Sequence, residues 1–430
     1  MLLTIEKLIY GGDGLARLPA DEHGRGKAVF APFVLEGEQV EASLVEEKPG
    51  FARARADRIA VASPFRIAPH CPYFIRCGGC HYQHTSYEHQ LDIKASILKE
   101  NLRRLAKLEL EKDLIVHPSP PWNYRNRTRL KLQNSPDFAI GYYKVGSHEL
   151  LPVEQCPISS PLINRAITAF WELGRAGDIK EEIQEVEFFA NADDSQLLAE
   201  VYGSGVPRDT KAWTSDAQRA LPELAGVSFF KGIFDPRPGA VPERIAVEGA
   251  GDLSYETPLA IHRVSAGAFF QVNRYLTDEL TKAVLHGHSG NLALDLYAGV
   301  GLFSTSLARS FAQVMAVESS PTSHADLLYN LPANAKAVRA TVEQYLSGPG
   351  VKLRADLMVV DPPRSGLGEK VVKAIAKLAP PQLVYVSCDP ATLARDLAGL
   401  LRAGYRVEQA HLLDLFPQTY HLESIFHLAR

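Results

Sequence analysis

The chain contains five cysteines, and their positions divide them into four and one. Cys71, Cys77 and Cys80 fall in the run His70-Cys-Pro-Tyr-Phe-Ile-Arg-Cys-Gly-Gly-Cys-His81, and Cys156 follows in Glu154-Gln-Cys-Pro-Ile158. Four thiolates suit tetrahedral zinc or a 4Fe–4S cluster. Gly78 and Gly79 permit the tight backbone path that two ligands of one centre need. The wide gap between Cys71 and Cys77 is unusual for a zinc ribbon and favours iron–sulfur, which leaves His81 and His84 to packing or RNA. The fifth thiol, Cys388, follows the apolar run Leu383-Val-Tyr-Val-Ser387. Asp389 is a good N-cap and Pro390 a favoured first helical residue. The thiol should therefore meet a helix N-terminus, whose partial positive charge favours thiolate and a nucleophile's role. The plain alternative for a solitary cysteine is a small buried hydrophobe.

Other groups gather at the ends of strand-like runs. Asp295-Leu-Tyr297-Ala-Gly299-Val-Gly301 reads as a strand ending in a glycine turn, where backbone N–H groups can approach a cofactor. Ser304 occupies the third-glycine position of the dinucleotide fingerprint, which argues against NAD. Glu318 closes the next run, where an acid accepts hydrogen bonds from ribose hydroxyls, and Asp361-Pro-Pro-Arg364 closes a later one. His421 and Glu423 stand two apart and would share one face of a strand. Arg125, Arg127, Arg129 and Lys131 alternate in the same way, and a facing polyanion such as RNA would relieve their repulsion. The bland reading of that row is a solvated edge strand. A second basic group, Arg53, Arg55, Arg58 and Arg66, is opposed locally by Asp57 alone.

The elements that must hold these groups are legible in outline. At 430 residues, two or three domains are expected. A composition 46% hydrophobic and 22% charged, with net charge −4, predicts a globular chain with local rather than global basicity. Apolar runs fall short of the ~18 residues of a membrane span, and the first residues hold no export signal, which with ligand-like cysteines predicts a reducing cytoplasm, off the membrane; a monomer is the separate expectation for its assembly. Short β runs at 2–9, 28–32 and 39–45, separated by turns at 11–14 and 24–26, predict a small β-barrel of the oligonucleotide-binding type over 1–64. Leu91, Ala95, Leu98, Leu102 and Leu105 form the apolar stripe of a helix at about 86–106, with Lys94 off it. A mixed region continues to about 260, least ordered at 203–207 and 235–239. From 261 to 430, strands at 292–296, 313–317, 357–360 and 383–387 alternate with helical periods, which predicts a doubly wound parallel sheet with its ligands outside the carboxyl ends.

Taken together, Cys-Pro-Tyr-Phe-x-x-Cys-Gly-Gly-Cys at 71–80, Phe270-Gln-Val-Asn273, Asp361-Pro-Pro-Arg364, Val386-Ser-Cys-Asp-Pro-Ala-Thr-Leu-Ala-Arg395 and His421-Leu-Glu423 resemble the RNA uridine-C5 methyltransferases with a TRAM domain and a 4Fe–4S cluster. The resemblance implies a multidomain α/β protein: a TRAM β-barrel at 1–64, a central α+β domain at 65–260 with the cluster on Cys71, Cys77, Cys80 and Cys156, and a Rossmann-like methyltransferase domain at 261–430. It also implies that the helix at 86–106 packs on the catalytic domain. Cys388 becomes the nucleophile and Glu423 the base. Gln271, Tyr297, Gly299, Gly301, Glu318 and Asp361 become contacts for S-adenosylmethionine, and Phe269 an aromatic beside the target uracil, with Arg125, Arg127, Arg129 and Lys131 toward RNA. Leu302 and Thr341 depart from the family pattern near the cofactor. The implied substrate is large-subunit ribosomal RNA, with transfer RNA next and a non-methylating iron–sulfur RNA-binding protein as the outside alternative.

Overall fold

The structure is a computed structural model, and it describes residues 1–19, 26–232 and 242–430. Segment 235–239 lies outside the described residues, as do the first two residues of the turn expected at 24–26.

A curled six-stranded sheet opens the chain, in the order Leu2–Thr4, Gln39–Glu47, Phe51–Val61, Ala28–Pro32, Asp13–Arg17, Lys7–Leu8. Alternation puts Leu3, Val29, Val40, Ala42, Ala52 and Ala54 on its inner face. The run expected as one strand at 2–9 is broken at Ile5, whose N–H turns away to the Glu38 carbonyl at 2.9 Å. Phe51–Val61, the longest strand of this sheet, was not expected, and it carries Arg53, Arg55 and Arg58. Their partners include Glu41 on the adjacent strand and Asp13 one strand further, so this basic group is less one-sided than its local sequence. Exposed pairs of this kind contribute little stability.

The second sheet has seven strands, ordered Leu150–Pro152, Ala139–Tyr143, Arg127–Gln133, Ile183–Ala190, Leu197–Gly203, Leu224–Lys231, Glu243–Gly249. Helices Pro161–Arg175 and Thr210–Ala220 cover its apolar face. The basic strand is interior, which removes the solvated-edge reading. Its register sets Arg129 opposite Glu187 and Lys131 opposite Glu185. Arg129 Nε donates to Glu187 Oε2 at 2.7 Å, Lys131 bonds Glu185, and Arg127 Nε lies 3.4 Å from Glu187. The repulsion along the row is thus answered inside the protein by carboxylates, without a polyanion. Arg125 precedes the strand, in bridges to Ser159 and Asn273.

The third sheet runs Ala335–Arg339, Phe311–Glu318, Gly290–Leu296, Leu357–Val360, Gln382–Ser387, Glu423–Ala429, Arg406–Leu413, Ile115–His117. Its first five strands are parallel, as a doubly wound fold requires, and Glu423–Ala429 joins antiparallel. Ile115–His117 comes from the central part of the sequence to pair with Arg406–Leu413. A hairpin of Asp252–Glu256 and Ile261–Ser265 straddles position 260.

Helix Tyr87–Asn101, continued by a π turn over Leu102–Ala106, buries Ile93, Ile97, Leu98 and Leu102 in one core with Leu393 and Leu397. The expected stripe is rotated. Leu105 is 50% exposed, whereas Lys94 is fully buried. Its ammonium donates to Asp414 Oδ1 at 2.6 Å and to the Phe416 carbonyl at 2.9 Å. A buried cation is tolerated only with such partners, and Asp414 is too distant in sequence for a periodicity argument to find.

Where Ile115–His117 joins the sheet, histidines collect. His117 Nε2 lies 2.9 Å from His411 Nδ1, and His288 Nε2 lies 3.3 Å from His427 Nδ1, with His286 against His427 and Glu279 on His117. Burial, then neighbouring histidines, hold His411 down at about 4 and His427 at about 3. The unfolded imidazoles titrate near ~6.5. Between these values the unfolded chain binds more protons, so stability should rise with pH from about 4 to about 6.5 and level off above. Melting temperatures measured across that range should fall with acidification, and His427→Phe should flatten part of the slope. No described helix is long and apolar enough to cross a membrane.

Candidate active site and cysteine cavity

The carboxyl ends of the parallel strands converge on one cavity of about 740 Å³. It lies within the ~300–1,000 Å³ that suits a ligand. Strand Gly290–Leu296 delivers Tyr297 at φ 65° and Gly299 at φ 56°. Gly299 N–H donates to Glu318 Oε2 at 2.9 Å and Ser320 N–H to Oε1 at 2.6 Å, so Glu318 braces the ends of two strands. Both residues line the cavity, as do Gln271 and Asp361. Gly301 stands behind it, at φ 99° before helix Leu302–Leu307, where an added Cβ would meet Leu327 Cδ1 at 2.9 Å. Its glycine is required by the turn and by that close approach. Thr341 lines the cavity, and Leu302 is buried outside it. Phe269, 63% exposed, forms the rim.

Strand pairing places Cys388 and Glu423 together. Ser387 pairs with Ser424 in the antiparallel register, and one step further sets Cys388 opposite Glu423. Both line the cavity beside Asp361, Arg364 and His421. His421 ends its approach just before the strand, with Nδ1 3.4 Å from an Arg364 nitrogen. Burial and that guanidinium hold its imidazole down at about 3, so it is neutral.

The thiol's electrostatics differ from expectation. The Asp389 carboxylate accepts Ala391 N–H at 3.0 Å and Thr392 N–H at 2.8 Å, so the helix's free donors are taken by the cap, not the sulfur. Burial, then Glu423 and Asp361, push Cys388 up to about 12, while Arg364 opposes them. Burial and Asp295 raise Asp361 to about 7, and burial and Asp361 hold Glu423 well above the usual carboxylate range. The site therefore crowds proton-holding groups around one guanidinium. Of its other walls, Phe416 and Glu343 were not singled out from sequence; the strand-end rule reaches neither, since both lie in later loops or helices.

The other four cysteines all face a second cavity of about 380 Å³. Among the described residues, no three His, Cys, Asp or Glu side chains stand close enough to hold a metal ion as placed. Burial raises Cys77 to about 11 and Cys80 beyond that, and Cys156 adds to the rise at Cys71, Cys77 and Cys80. Thiols so placed lose their protons only to a strong local positive charge. Arg125, Arg127 and Arg129 face the same space, together with Glu187, which pairs with the last two. His81 and His84 do not line it; His84 Nε2 instead lies 3.3 Å from the Val34 carbonyl. Val272 lines both cavities, so the two adjoin at the segment that also carries Phe269 and Gln271.

Comparison with known proteins adds to this geometry. A family model described as tRNA (Uracil-5-)-methyltransferase matches residues 86–345 and 350–430. An uncharacterized RNA methyltransferase of Aquifex aeolicus is 34% identical over 98% of this chain and 97% of its own length. The 23S rRNA (uracil(1939)-C(5))-methyltransferase of Shewanella frigidimarina is 31% identical over 98% of this chain and 94% of its own. In fold, the chain is similar over 100% of both chains to the Pyrococcus abyssi tRNA (uracil-54, C5)-methyltransferase solved with S-adenosyl-L-homocysteine, at TM-score 0.77 and 22% identity.

Proposed function

The chain belongs to the tRNA (uracil-5-)-methyltransferase family, and from that premise we propose that it methylates C5 of a uridine in 23S ribosomal RNA through a covalent bond from Cys388. The observation that carries this reading is a thiol and a carboxyl group, each next to the Ser387–Ser424 strand pair, in the cavity that Glu318 and Asp361 also line. Ribosomal RNA is favoured because the Shewanella relative is 31% identical to this chain and the Pyrococcus abyssi enzyme 22%. Transfer RNA is the second reading.

Gln271, Tyr297, Gly299, Glu318 and Asp361 would hold S-adenosylmethionine, which would supply an electrophilic methyl group. Glu318 would accept the ribose hydroxyls, and Asp361 would be a fixed polar contact. C5 of uracil is too weak a nucleophile to react unaided. Cys388 must first give up its proton to solvent, a loss that Arg364 favours, and then add to C6. The C5–C6 electrons move toward the C4 carbonyl, and C5 gains the density to take the methyl group, whose sulfur–carbon bond would break to leave the neutral thioether S-adenosylhomocysteine. Glu423 then removes the C5 proton, the double bond reforms, and the Cys388 sulfur is expelled. The target uridine must leave its stack, and Phe269 at the rim offers it an aromatic face.

In the same reading Cys71, Cys77, Cys80 and Cys156, which line one cavity, would hold a 4Fe–4S cluster, the wide gap between Cys71 and Cys77 being unusual for a zinc ribbon. With all four ligands supplied by the protein and no electron transfer in the reaction, it would be structural or RNA-positioning. The division into a TRAM barrel at 1–64, a cluster domain at 65–260 and a catalytic domain at 261–430, and a monomer in the cytoplasm, belong to this proposal. One preparation tests it. Protein purified without air should carry about four irons per chain, and with S-adenosylmethionine and total RNA it should place 5-methyluridine in 23S rRNA. Methylation confined to tRNA would move the substrate, and a methyl group on any other base atom would remove the reaction. One zinc per chain would replace the cluster.

A further inference from the structure

The N-terminal sheet reaches the reacting centre. Between strands Lys7–Leu8 and Asp13–Arg17 the chain makes a tight turn, with Gly11 at φ 109° and Gly12 at φ 92°. At its tip, the Tyr10 hydroxyl donates to the backbone carbonyl of Cys388 at 3.1 Å. The Tyr10 ring stands edge-on to Tyr420, centroids 5.4 Å apart, and Tyr420 lies 4.2 Å from His421 in the cavity wall. From the other side His81, the neighbour of Cys80, meets the same Tyr420 ring at 4.6 Å, and its N–H donates to the Gln418 carbonyl at 2.8 Å. The turn is seated tightly, since a Cβ on Gly12 would stand 3.0 Å from His81 Cβ. The contact is therefore part of a packed seam, in which Leu8 and Leu35 of the N-terminal region share one core with Tyr385 and Leu393.

We propose that Tyr10 is a positioning residue for the reaction: its hydroxyl fixes the Cys388 peptide, and its ring fixes the Tyr420–His421 wall, so the N-terminal sheet completes the catalytic centre. The proposal rests on the reading of Cys388 as nucleophile. A hydroxyl bonded to a carbonyl on the peptide that carries the sulfur restrains how that peptide can rotate, and hence where the thiol points. A misplacement of about 1 Å at a reacting group is costly in rate. A sheet serving solely as an RNA handle would have no need of a bond to this carbonyl.

The test uses the full chain with Tyr10→Phe, which keeps the ring, and Tyr10→Ala, which removes it. Three quantities are read: kcat and KM for 5-methyluridine formation, binding of S-adenosylhomocysteine by calorimetry, and the rate of Cys388 alkylation by iodoacetamide, followed by peptide mass mapping. Tyr10→Phe should lower kcat about three- to tenfold, as the loss of one hydrogen bond allows. The RNA KM and S-adenosylhomocysteine affinity should stay unchanged, and the Cys388 alkylation rate should shift at least twofold. Tyr10→Ala should lower kcat further. A raised RNA KM at unchanged kcat would overturn the proposal and make Tyr10 an RNA contact, and unchanged kcat and alkylation in Tyr10→Phe would leave it a packing residue. The alkylation readout needs no turnover, and turnover surviving in Cys388→Ala would remove the nucleophile instead, so the two failures are distinct. If Tyr10→Ala does not fold, Tyr10→Phe decides alone.

Discussion

Cys388→Ala should abolish uridine methylation, lowering turnover by at least about 10⁴-fold, while S-adenosylmethionine binding stays near its original value. The asymmetry follows from the geometry. Cys388 lies at the end of strand Gln382–Ser387, whereas the groups that would take the cofactor's ribose and flank its adenosyl part lie at the ends of Gly290–Leu296 and Phe311–Glu318. Removing one sulfur leaves those contacts in place. Without thiolate addition, C5 never gains the density it needs, and the Arg364 guanidinium beside the sulfur has no lone pair to offer in its place. Single-turnover assays with labelled methyl donor, paired with calorimetry, check both halves. Persistent turnover would dismiss the covalent route, and lost cofactor binding would show that the two subsites are not separate.

Glu423→Gln should trap the enzyme on its RNA. Glutamine keeps the size of the side chain but cannot accept the C5 proton, so methyl transfer goes forward and elimination stalls. Turnover should fall about 10²–10⁴-fold, the range for loss of a positioned base. A band of protein joined to RNA should survive denaturing electrophoresis, and Cys388→Ala in the same chain should erase it. The native enzyme carries a pH signature of the same group. Burial and Asp361 hold Glu423 well above ordinary carboxylates, and Asp361 sits at about 7. The base form gains as this carboxyl loses its proton, so kcat should rise with pH above the usual carboxylate range, and Glu423→Gln should remove that share of the rise. Normal turnover without an adduct would remove Glu423 as the base.

The residues that announced themselves in sequence did so because their signals are local. A short apolar run followed by Cys388-Asp389-Pro390, or by Gly299 and Gly301, reads as a strand meeting a helix, and ligands of such sheets gather there. The same rule put Glu318 and Asp361 in one cavity with Cys388, where the structure also has them. The four clustered cysteines needed only a count and a spacing. Arg127, Arg129 and Lys131 misled because the alternation was right but the partners were hidden. Glu185 and Glu187 lie on the neighbouring strand, beyond any window in which periodicity is visible. Lys94 failed for the same reason, with Asp414 at the far end of the chain. Strand Ile115–His117 was too short to show a period, and Tyr10 sat in a turn whose only local message was glycine.

Sequence by itself determined which atoms are available for chemistry, a lone sulfur, strand-end acids and a four-thiol set, because side-chain identity and local spacing need no folding to be read. Tertiary structure alone decided their state. The helix end that should have charged Cys388 is occupied by Asp389, and burial beside Glu423 and Asp361 keeps the sulfur protonated. Desolvation and facing charges are properties of the packed neighbourhood, set by strands that meet only once the chain is folded.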